Sequence, residues 1–238
     1  MEIRDSVALV TGGNRGIGAA IAKALLAAGA SRVYLGTRVP VAPSERVVPI
    51  YLDVTDSRAI AVAAESCKGV SILVNNAGVI AAQPVLGPSL EGSELEMRVN
   101  YFGLLAMCRA FAPILARNGG GAIVNVLSIF SHVSWPPVAG YSASKAAAYS
   151  ATQAIRNELA PQGTLVVGVM PGFVDTDLTR AVTLPKIEAS AVADAIVAAV
   201  REGTEDVYPG AEAAAVAAAM QSDPKALEQQ YGSLLIQS

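Results

Sequence analysis

The apolar positions of this chain fall into short, nearly continuous runs separated by longer, Ala- and Leu-rich amphipathic stretches. The runs are 6–11 (SVALVT), 32–36 (RVYLG), 47–52 (VVPIYL), 71–75 (SILVN), 121–127 (GAIVNVL) and 164–170 (TLVVGVM). Their length and Val/Ile content predict strands, and their lack of polar alternation predicts burial on both faces. Segments 19–28, 57–66, 100–117, 141–160 and 190–201 predict helices between them, and 211–220 an Ala-rich one. A short last strand is expected near Asp206-Val207-Tyr208. Strands that alternate with helices must run parallel, because the helix carries the chain back. The expected class is α/β, a doubly wound parallel sheet of about seven strands with helices on both faces. No linker or repeat interrupts the pattern, so residues 1–238 read as a single domain. The last forty residues are the least legible part.

Composition narrows the class. Hydrophobic residues make up 53% and charged ones 16%, enough to build a core and too apolar for a disordered chain. The net charge is −3 without any basic cluster, which argues against a nucleic-acid grip. The opening MEIRDS lacks the apolar run of a signal peptide, and no uncharged 18-residue stretch predicts a membrane span. Cys67 and Cys108 both fall in or beside predicted helices and read as buried reduced thiols of a cytoplasmic protein. No His, Cys and carboxylate group has metal-ligand spacing, so no metal is expected.

The first run ends in Gly12-Gly13-Asn14-Arg15-Gly16-Ile17-Gly18 and a helix follows. A glycine turn there lets backbone approach a phosphate, and the helix start offers free N–H groups and a positive dipole end. The spacing differs from G-x-G-x-x-G, so alone the turn reads either as a phosphate site or as a tight strand–helix turn. Three further strings matter. They are Asn75-Asn76-Ala77-Gly78 after the fourth run, Tyr141-Ser142-Ala143-Ser144-Lys145 in the fourth long helix, and Pro171-Gly172-Phe173-Val174-Asp175-Thr176 after the sixth run. Together with the glycine turn they resemble the TGxxxGxG, NNAG, YxxxK and PG-x-x-x-T segments of the short-chain dehydrogenase/reductase family, in family order over residues 5–180. The resemblance implies a Rossmann-type fold. It also implies an oxidoreductase that moves hydride between a nicotinamide and a ketone, aldehyde or secondary alcohol.

That chemistry can be checked against residue types. Hydride addition to a carbonyl carbon leaves charge on oxygen, which needs a proton donor and a stabilising partner. A tyrosine titrates near ~10, and a neighbouring ammonium favours its phenolate. Tyr141 and Lys145 are four apart and share one helix face, although an isolated pair would read as a surface Tyr and Lys. Ser128 ends the fifth strand, where ligands bind in open parallel sheets; Ser131 and Ser134 are its rivals by type. By resemblance, Ser128 and Tyr141 hold the substrate oxygen, Lys145 grips the ribose and lowers the phenol, and Asn100, opening its helix, holds a water in a proton relay. The catalytic set is thus Asn100, Ser128, Tyr141 and Lys145.

The resemblance places the cofactor on Gly12, Asn14, Arg15, Gly16, Ile17, Gly18, Asp53, Val54, Asn76, Ala77, Gly78, Tyr141, Lys145, Pro171, Gly172, Val174 and Thr176, with Asp53 at the adenine. No Asp or Glu ends the second strand; Thr37 and Arg38 stand there, and a guanidinium can fork onto a 2′-phosphate. NADP(H) is therefore expected over NAD(H), with Arg15 as a helper. The substrate pocket is expected from Ser128, His132, Val133, Trp135, Tyr141 and Phe173, His132 reading alternatively as a solvent-facing loop residue. The short 177–188 segment suggests an open pocket that takes bulky ketones. The expected partners are a small carbonyl or alcohol substrate and, by resemblance, further copies of the chain in a homodimer or homotetramer. The alternatives are an NAD-dependent alcohol dehydrogenase and a dinucleotide sensor without turnover.

Overall fold

A computed structural model describes residues 1–234. Seven strands form one parallel sheet: β1 (Val7–Thr11), β2 (Arg32–Thr37), β3 (Val47–Tyr51), β4 (Ile72–Asn75), β5 (Gly121–Val126), β6 (Thr164–Val169) and β7 (Asp206–Val207). Their spatial order is β3-β2-β1-β4-β5-β6-β7, so the direction of winding reverses between β1 and β4. Ligands bind at such a reversal, outside the carboxyl ends of the strands. The helices are α1 (Gly16–Ala27), α2 (Ser57–Ser66), α3 (Glu91–Glu96), α4 (Leu104–Arg117), α5 (Ala139–Leu159), α6 (Ala189–Glu202), α7 (Ala211–Ser222) and α8 (Pro224–Ser233). This is the Rossmann-type architecture the alternation predicts.

The two-residue period of each strand divides its side chains between two cores. Ala8, Val10, Val33, Ile72, Val74 and Val124 face α1 and α6. Leu9, Leu73, Ile123 and Val166 face α2, α4 and α5. Both sheet faces are covered, which is why the runs show no polar alternation. The second core carries one polar ladder: Asn75 Nδ2 donates to Asn125 Oδ1 at 2.9 Å, and Asn125 Nδ2 to Thr152 Oγ1 on α5 at 2.9 Å. Buried polar groups must be paired, so this ladder admits one register of α5 against the sheet. Cys108 touches the same ladder, and burial pushes its thiol up to about 12.

Two elements depart from expectation. The helix expected at 100–117 starts at Glu91 and passes through a π-helical stretch, Met97–Gly103, before α4. The buried stripe of its early part is Gly92, Glu96, Asn100 and Gly103. That stripe is polar or side-chain-free, so a search for apolar period misses it. By length and composition the stretch Glu91–Arg117 could cross a membrane, contrary to expectation, with mean hydropathy 1.4 over its best window. Here Leu104, Met107, Phe111 and Leu115 lie buried in the second core. The last departure is α8, capped by Asp223, whose Oδ1 accepts from Ala226 N at 2.9 Å, with Pro224 in its first turn. It buries only Leu227 and Tyr231, too few positions to show a period.

Candidate active site

The glycine turn sits at the carboxyl end of β1 against the segment that follows β4. Thr11 Oγ1 accepts from the N–H groups of Asn76 and Ala77 at 2.9 and 3.0 Å. Asn76 Nδ2 returns bonds to the carbonyls of Thr11 and Gly12 at 2.9 and 3.2 Å. Asn76, expected at the cofactor, spends its amide nitrogen on building the turn. Gly12 has φ 64°, and a Cβ on Gly18 would stand 2.3 Å from the Gly12 carbonyl oxygen, so only glycine closes the turn this tightly. No side chain caps the start of α1, whose first N–H groups stay available to an anion. Thr176 reaches across from the β6 side: its Cγ2 lies 3.3 Å from where a Gly16 Cβ would be. These features fit a pyrophosphate cradle.

The expected 2′-phosphate residues are engaged otherwise. Thr37 is buried, and its hydroxyl is closed on Val39, both accepting from its N–H and donating to its carbonyl at 3.1 Å. Arg38 is 67% exposed, with a nitrogen 3.8 Å from Asp53. Burial would raise the Asp53 carboxyl, but bonds from the Thr55 N–H and hydroxyl and the Arg38 charge outweigh it and hold the group low. Arg15 pairs at 2.9 Å with Asp177, beyond Thr176, so an ion pair bridges the glycine turn and the loop after β6.

The catalytic candidates converge at the ends of β5 and α5. Ser128 Oγ accepts from Phe130 N at 3.1 Å and lies near the Tyr141 hydroxyl, whose pKa it lowers. Its rivals stand elsewhere: Ser131 is buried with an unpaired hydroxyl, and Ser134 is exposed. Lys145 is buried, donates to the Val126 carbonyl at 2.8 Å and stands 5.6 Å from the centre of the Tyr141 ring. Burial pulls the Lys145 ammonium down to about 8. Burial likewise pushes the Tyr141 phenol up to about 12; the nearby Ser128 hydroxyl lowers it and the Glu96 charge raises it. The expectation that Lys145 lowers the phenol is not met in this geometry, where the ammonium serves a carbonyl and the ring face.

Asn100 is buried in mid-helix rather than at a helix start. Its Oδ1 accepts from Val79 N at 2.9 Å, and its Nδ2 donates to the Val79 carbonyl at 3.0 Å and to Ser144 Oγ at 2.9 Å. Ser144 in turn donates to the Tyr141 carbonyl at 2.7 Å. The side chain therefore clamps the segment after Gly78 to the helix of Tyr141, with both Nδ2 hydrogens spent and one Oδ1 lone pair left. Sequence reasoning missed Glu96, one turn earlier. Glu96 is buried, accepts from Ala81 N at 2.7 Å, and has its carboxyl raised by burial, offset in part by that bond. A lone Glu in a segment without apolar period gives no signal of burial.

The expected substrate wall divides. Val133, Trp135 and Phe173 join Phe130, Tyr231 and Leu227 in an aromatic cluster beneath α7 and α8, and Tyr141 packs against it. Trp135 stacks on Phe130 at 5.5 Å and meets Phe173 edge-on at 5.4 Å. His132 does not join that wall. Its Nε2 lies 3.0 Å from Tyr208 Oη and its ring 4.9 Å from that of Tyr149, two turns along α5 from Tyr141. Burial lowers its pKa, against a raising effect of the Asp206 charge. The 177–188 segment does not leave this side open either, since Val182 and Leu184 lie on the cluster. A cavity of about 500 Å³ flanks α1 beside Gly13, Lys23 and Arg46, away from Tyr141.

Comparison with known proteins agrees with this geometry. The family model described as short chain dehydrogenase matches residues 6–186. An uncharacterized oxidoreductase of Staphylococcus saprophyticus is 33% identical over 193 residues, covering 75% of this chain and 82% of that protein. A 3-oxoacyl-[acyl-carrier-protein] reductase of Synechocystis is 32% identical over 190 residues, covering 73% and 76%. A short chain dehydrogenase from Burkholderia cenocepacia, solved in complex with NADP, superposes with a TM-score of 0.93 at 45% identity, covering 97% of this chain and 99% of that one. A turn built by Thr11 and Asn76, a Ser–Tyr–Lys group at the ends of β5 and α5, and this match over most of the chain lead to one conclusion: the protein is an oxidoreductase belonging to the short-chain dehydrogenase/reductase family.

Proposed function

We propose that the protein is an NADP(H)-dependent carbonyl reductase acting on uncharged, largely apolar ketones or aldehydes. The observation that carries this reading is Ser128 and Tyr141 side by side next to a buried lysine 5.6 Å from the centre of the Tyr141 ring, at the strand ends where this fold takes ligands. When bound, the nicotinamide supplies the hydride. The chain supplies the rest. Ser128 donates a hydrogen bond to the carbonyl oxygen, stabilising the charge that develops there. Tyr141 gives that oxygen a proton. Burial pushes this phenol up, so it is protonated at neutral pH, as a proton donor must be. Lys145 lies in position to hold the ribose hydroxyls and to return a proton to Tyr141. Asn100 acts by holding Val79 and Ser144 in place.

The substrate class follows from the surroundings of Tyr141. Ile80, Val182, Leu184 and Met220 lie with it against the aromatic cluster, and the one nearby ammonium, Lys145, is bonded to the Val126 carbonyl and accompanied by two carboxylates, Glu96 and Glu212. Such a pocket favours a neutral, hydrophobic carbonyl over a keto acid. NADPH is favoured because no carboxylate ends β2 to repel a 2′-phosphate and Arg38 is exposed beside it; the Burkholderia relative holds NADP. The exposed Leu95 and Phe102 on the helix that carries Asn100 support pairing with a second copy. The test is a panel of aromatic and alicyclic ketones assayed with NADPH and NADH. Tyr141→Phe should then lower kcat by ~10²–10⁴-fold with cofactor affinity kept. Retention of half the wild-type kcat would remove Tyr141 from the mechanism. An equal or higher kcat/KM with NADH would overturn the cofactor preference.

A further inference from the structure

The region beyond the family match contributes a side chain to the loop after β6. Glu212 stands in the first turn of α7. Its Oε2 accepts from the backbone N–H of Phe173 at 3.2 Å, and its Oε1 accepts from Tyr231 Oη on α8 at 3.1 Å. A Cβ on Gly172 would stand 2.3 Å from Oε2, so the glycine of Pro171-Gly172 is the residue that admits this carboxylate. One carboxylate thus joins α7, α8 and the loop that carries Phe173, Val174 and Thr176. The aromatic rings repeat the connection. Phe173 meets Phe130 and Trp135 at 5.8 and 5.4 Å, and Tyr231 meets Phe130 at 5.7 Å. Burial and the Glu212 charge together push the Tyr231 phenol up, which keeps its proton in place to donate.

We propose that Glu212 is a positioning residue, a latch through which the two C-terminal helices hold the Pro171–Thr176 loop in the conformation that binds cofactor and shapes the substrate wall. The proposal rests on the oxidoreductase reading above, since the loop brackets the site only if Ser128 and Tyr141 face the reacting carbonyl. A carboxylate that accepts two N–H or O–H donors makes charge-assisted bonds, stronger than neutral ones. Nothing else in the described residues is bonded to Phe173 N. The rest of the loop is tied by Ile129 N to the Pro171 carbonyl, Ile187 N to the Phe173 carbonyl and Asp175 N to the Ile187 carbonyl. Loss of the latch therefore loosens the segment around Phe173, while Ser128, Tyr141 and Lys145, held on β5 and α5, keep their places.

The test uses the full chain as wild type, Glu212→Ala and Glu212→Gln. Glutamine keeps an oxygen for Phe173 N and an N–H group that can turn to Tyr231 Oη. Three readouts are needed: hydrogen exchange in 171–176, NADPH affinity from the fluorescence of the reduced nicotinamide, and KM and kcat on the best ketone of the panel. Glu212→Ala should speed exchange in the segment and raise the NADPH Kd and the ketone KM about tenfold, the weight of one charge-assisted bond. Its kcat should fall by less than about threefold, and Glu212→Gln should restore all three. An alanine variant with wild-type exchange, or one whose only change is a lower Tm, overturns the latch. So does a glutamine variant as impaired as alanine. If the wild type binds NADPH but reduces no carbonyl, the reductase reading fails, and exchange and Kd still judge the latch.

Discussion

The two ends of the cleft are built differently. At the catalytic end the polar groups are buried and bonded within the fold: Asn75 to Asn125 to Thr152, Asn100 to Val79 and Ser144, Lys145 to Val126. At the adenosine end the charges lie on the surface in loose pairs, Arg38 near Asp53 and Arg15 with Asp177. Folding alone fixes the first arrangement, because a buried polar group left unpaired costs about 1–3 kcal/mol. The second is exchangeable, because exposed pairs contribute little and surrender readily to a ligand phosphate. The catalytic candidates are thus preorganised, while the charged side chains at the other end can be redirected by a ligand.

The largest effect should come from the most buried cation. Lys145→Met should cut turnover by ~10² or more, since the ribose contact and the proton return are both lost. It should also stabilise the fold, because replacing a buried ion by an apolar side chain of similar volume is often worth about 1–4 kcal/mol. The sign with pH is checkable. The folded-state pKa of Lys145, about 8, lies below its ordinary value, so the unfolded chain binds more protons between the two. The charged lysine's cost is fully present below that window and fades as pH rises through it. The thermal advantage of Lys145→Met over wild type should therefore be greatest at neutral pH and shrink toward pH ~10. A variant that melts lower than wild type at neutral pH would show that Lys145 holds the catalytic end together rather than straining it.

What the sequence disclosed follows the same division. The sheet was legible because strands buried on both faces leave unbroken Val/Ile runs. The cradle was legible because Gly12, Gly16 and Gly18 are demanded by backbone approach, which no other residue type satisfies. Tyr141, Lys145 and Ser128 were found through resemblance and strand-end position, and the structure brings them together. Their electrostatics were not legible: Lys145 sits on a carbonyl and a ring face, and burial, invisible in spacing, dominates both pKa values. Glu96 and Glu212 were missed for one reason. Each works by accepting backbone N–H groups from distant segments, Ala81 and Phe173, and such a bond leaves no periodic trace. His132 was left between a pocket wall and a solvent-facing loop, because a loop position does not say which way a ring turns; its ring turns to Tyr208 and Tyr149.

A smaller effect is expected at the adenosine end. Thr37→Asp combined with Arg38→Ala places a carboxylate at the end of β2 and removes the exposed guanidinium. The ratio of kcat/KM for NADPH over NADH should fall about 10–100-fold, the worth of one hydrogen bond to a charged group. The buried Thr37 hydroxyl also closes the turn to Val39, and an aspartate can accept the same N–H. It cannot replace the bond that the hydroxyl donates to the Val39 carbonyl, so fold stability should fall as well. An unchanged ratio would mean that the phosphate is read elsewhere, and the loose pair Arg38–Asp53 would then be only a surface contact.

The smallest effect tests whether the bridge across the cleft matters. Arg15 and Asp177 are 63% and 50% exposed, and Arg180 shares the same carboxylate. The Arg15 and Arg180 hydrogen bonds, with their charges, hold the Asp177 carboxyl low, yet a pair this exposed is screened by solvent and salt. Arg15→Ala should therefore leave Tm unchanged and raise the NADPH KM by no more than about threefold, with that difference vanishing at high salt. Asp177→Ala should act in the opposite direction if the carboxylate competes with a 2′-phosphate for Arg15: the NADPH KM should fall while the NADH KM stays put. A large loss of NADPH affinity in Arg15→Ala, with NADH unaffected, would instead make Arg15 the main phosphate ligand. The adenosine end would then be as specialised as the catalytic one, and the contrast between them would lie in when each is assembled, by folding at one end and by the cofactor at the other.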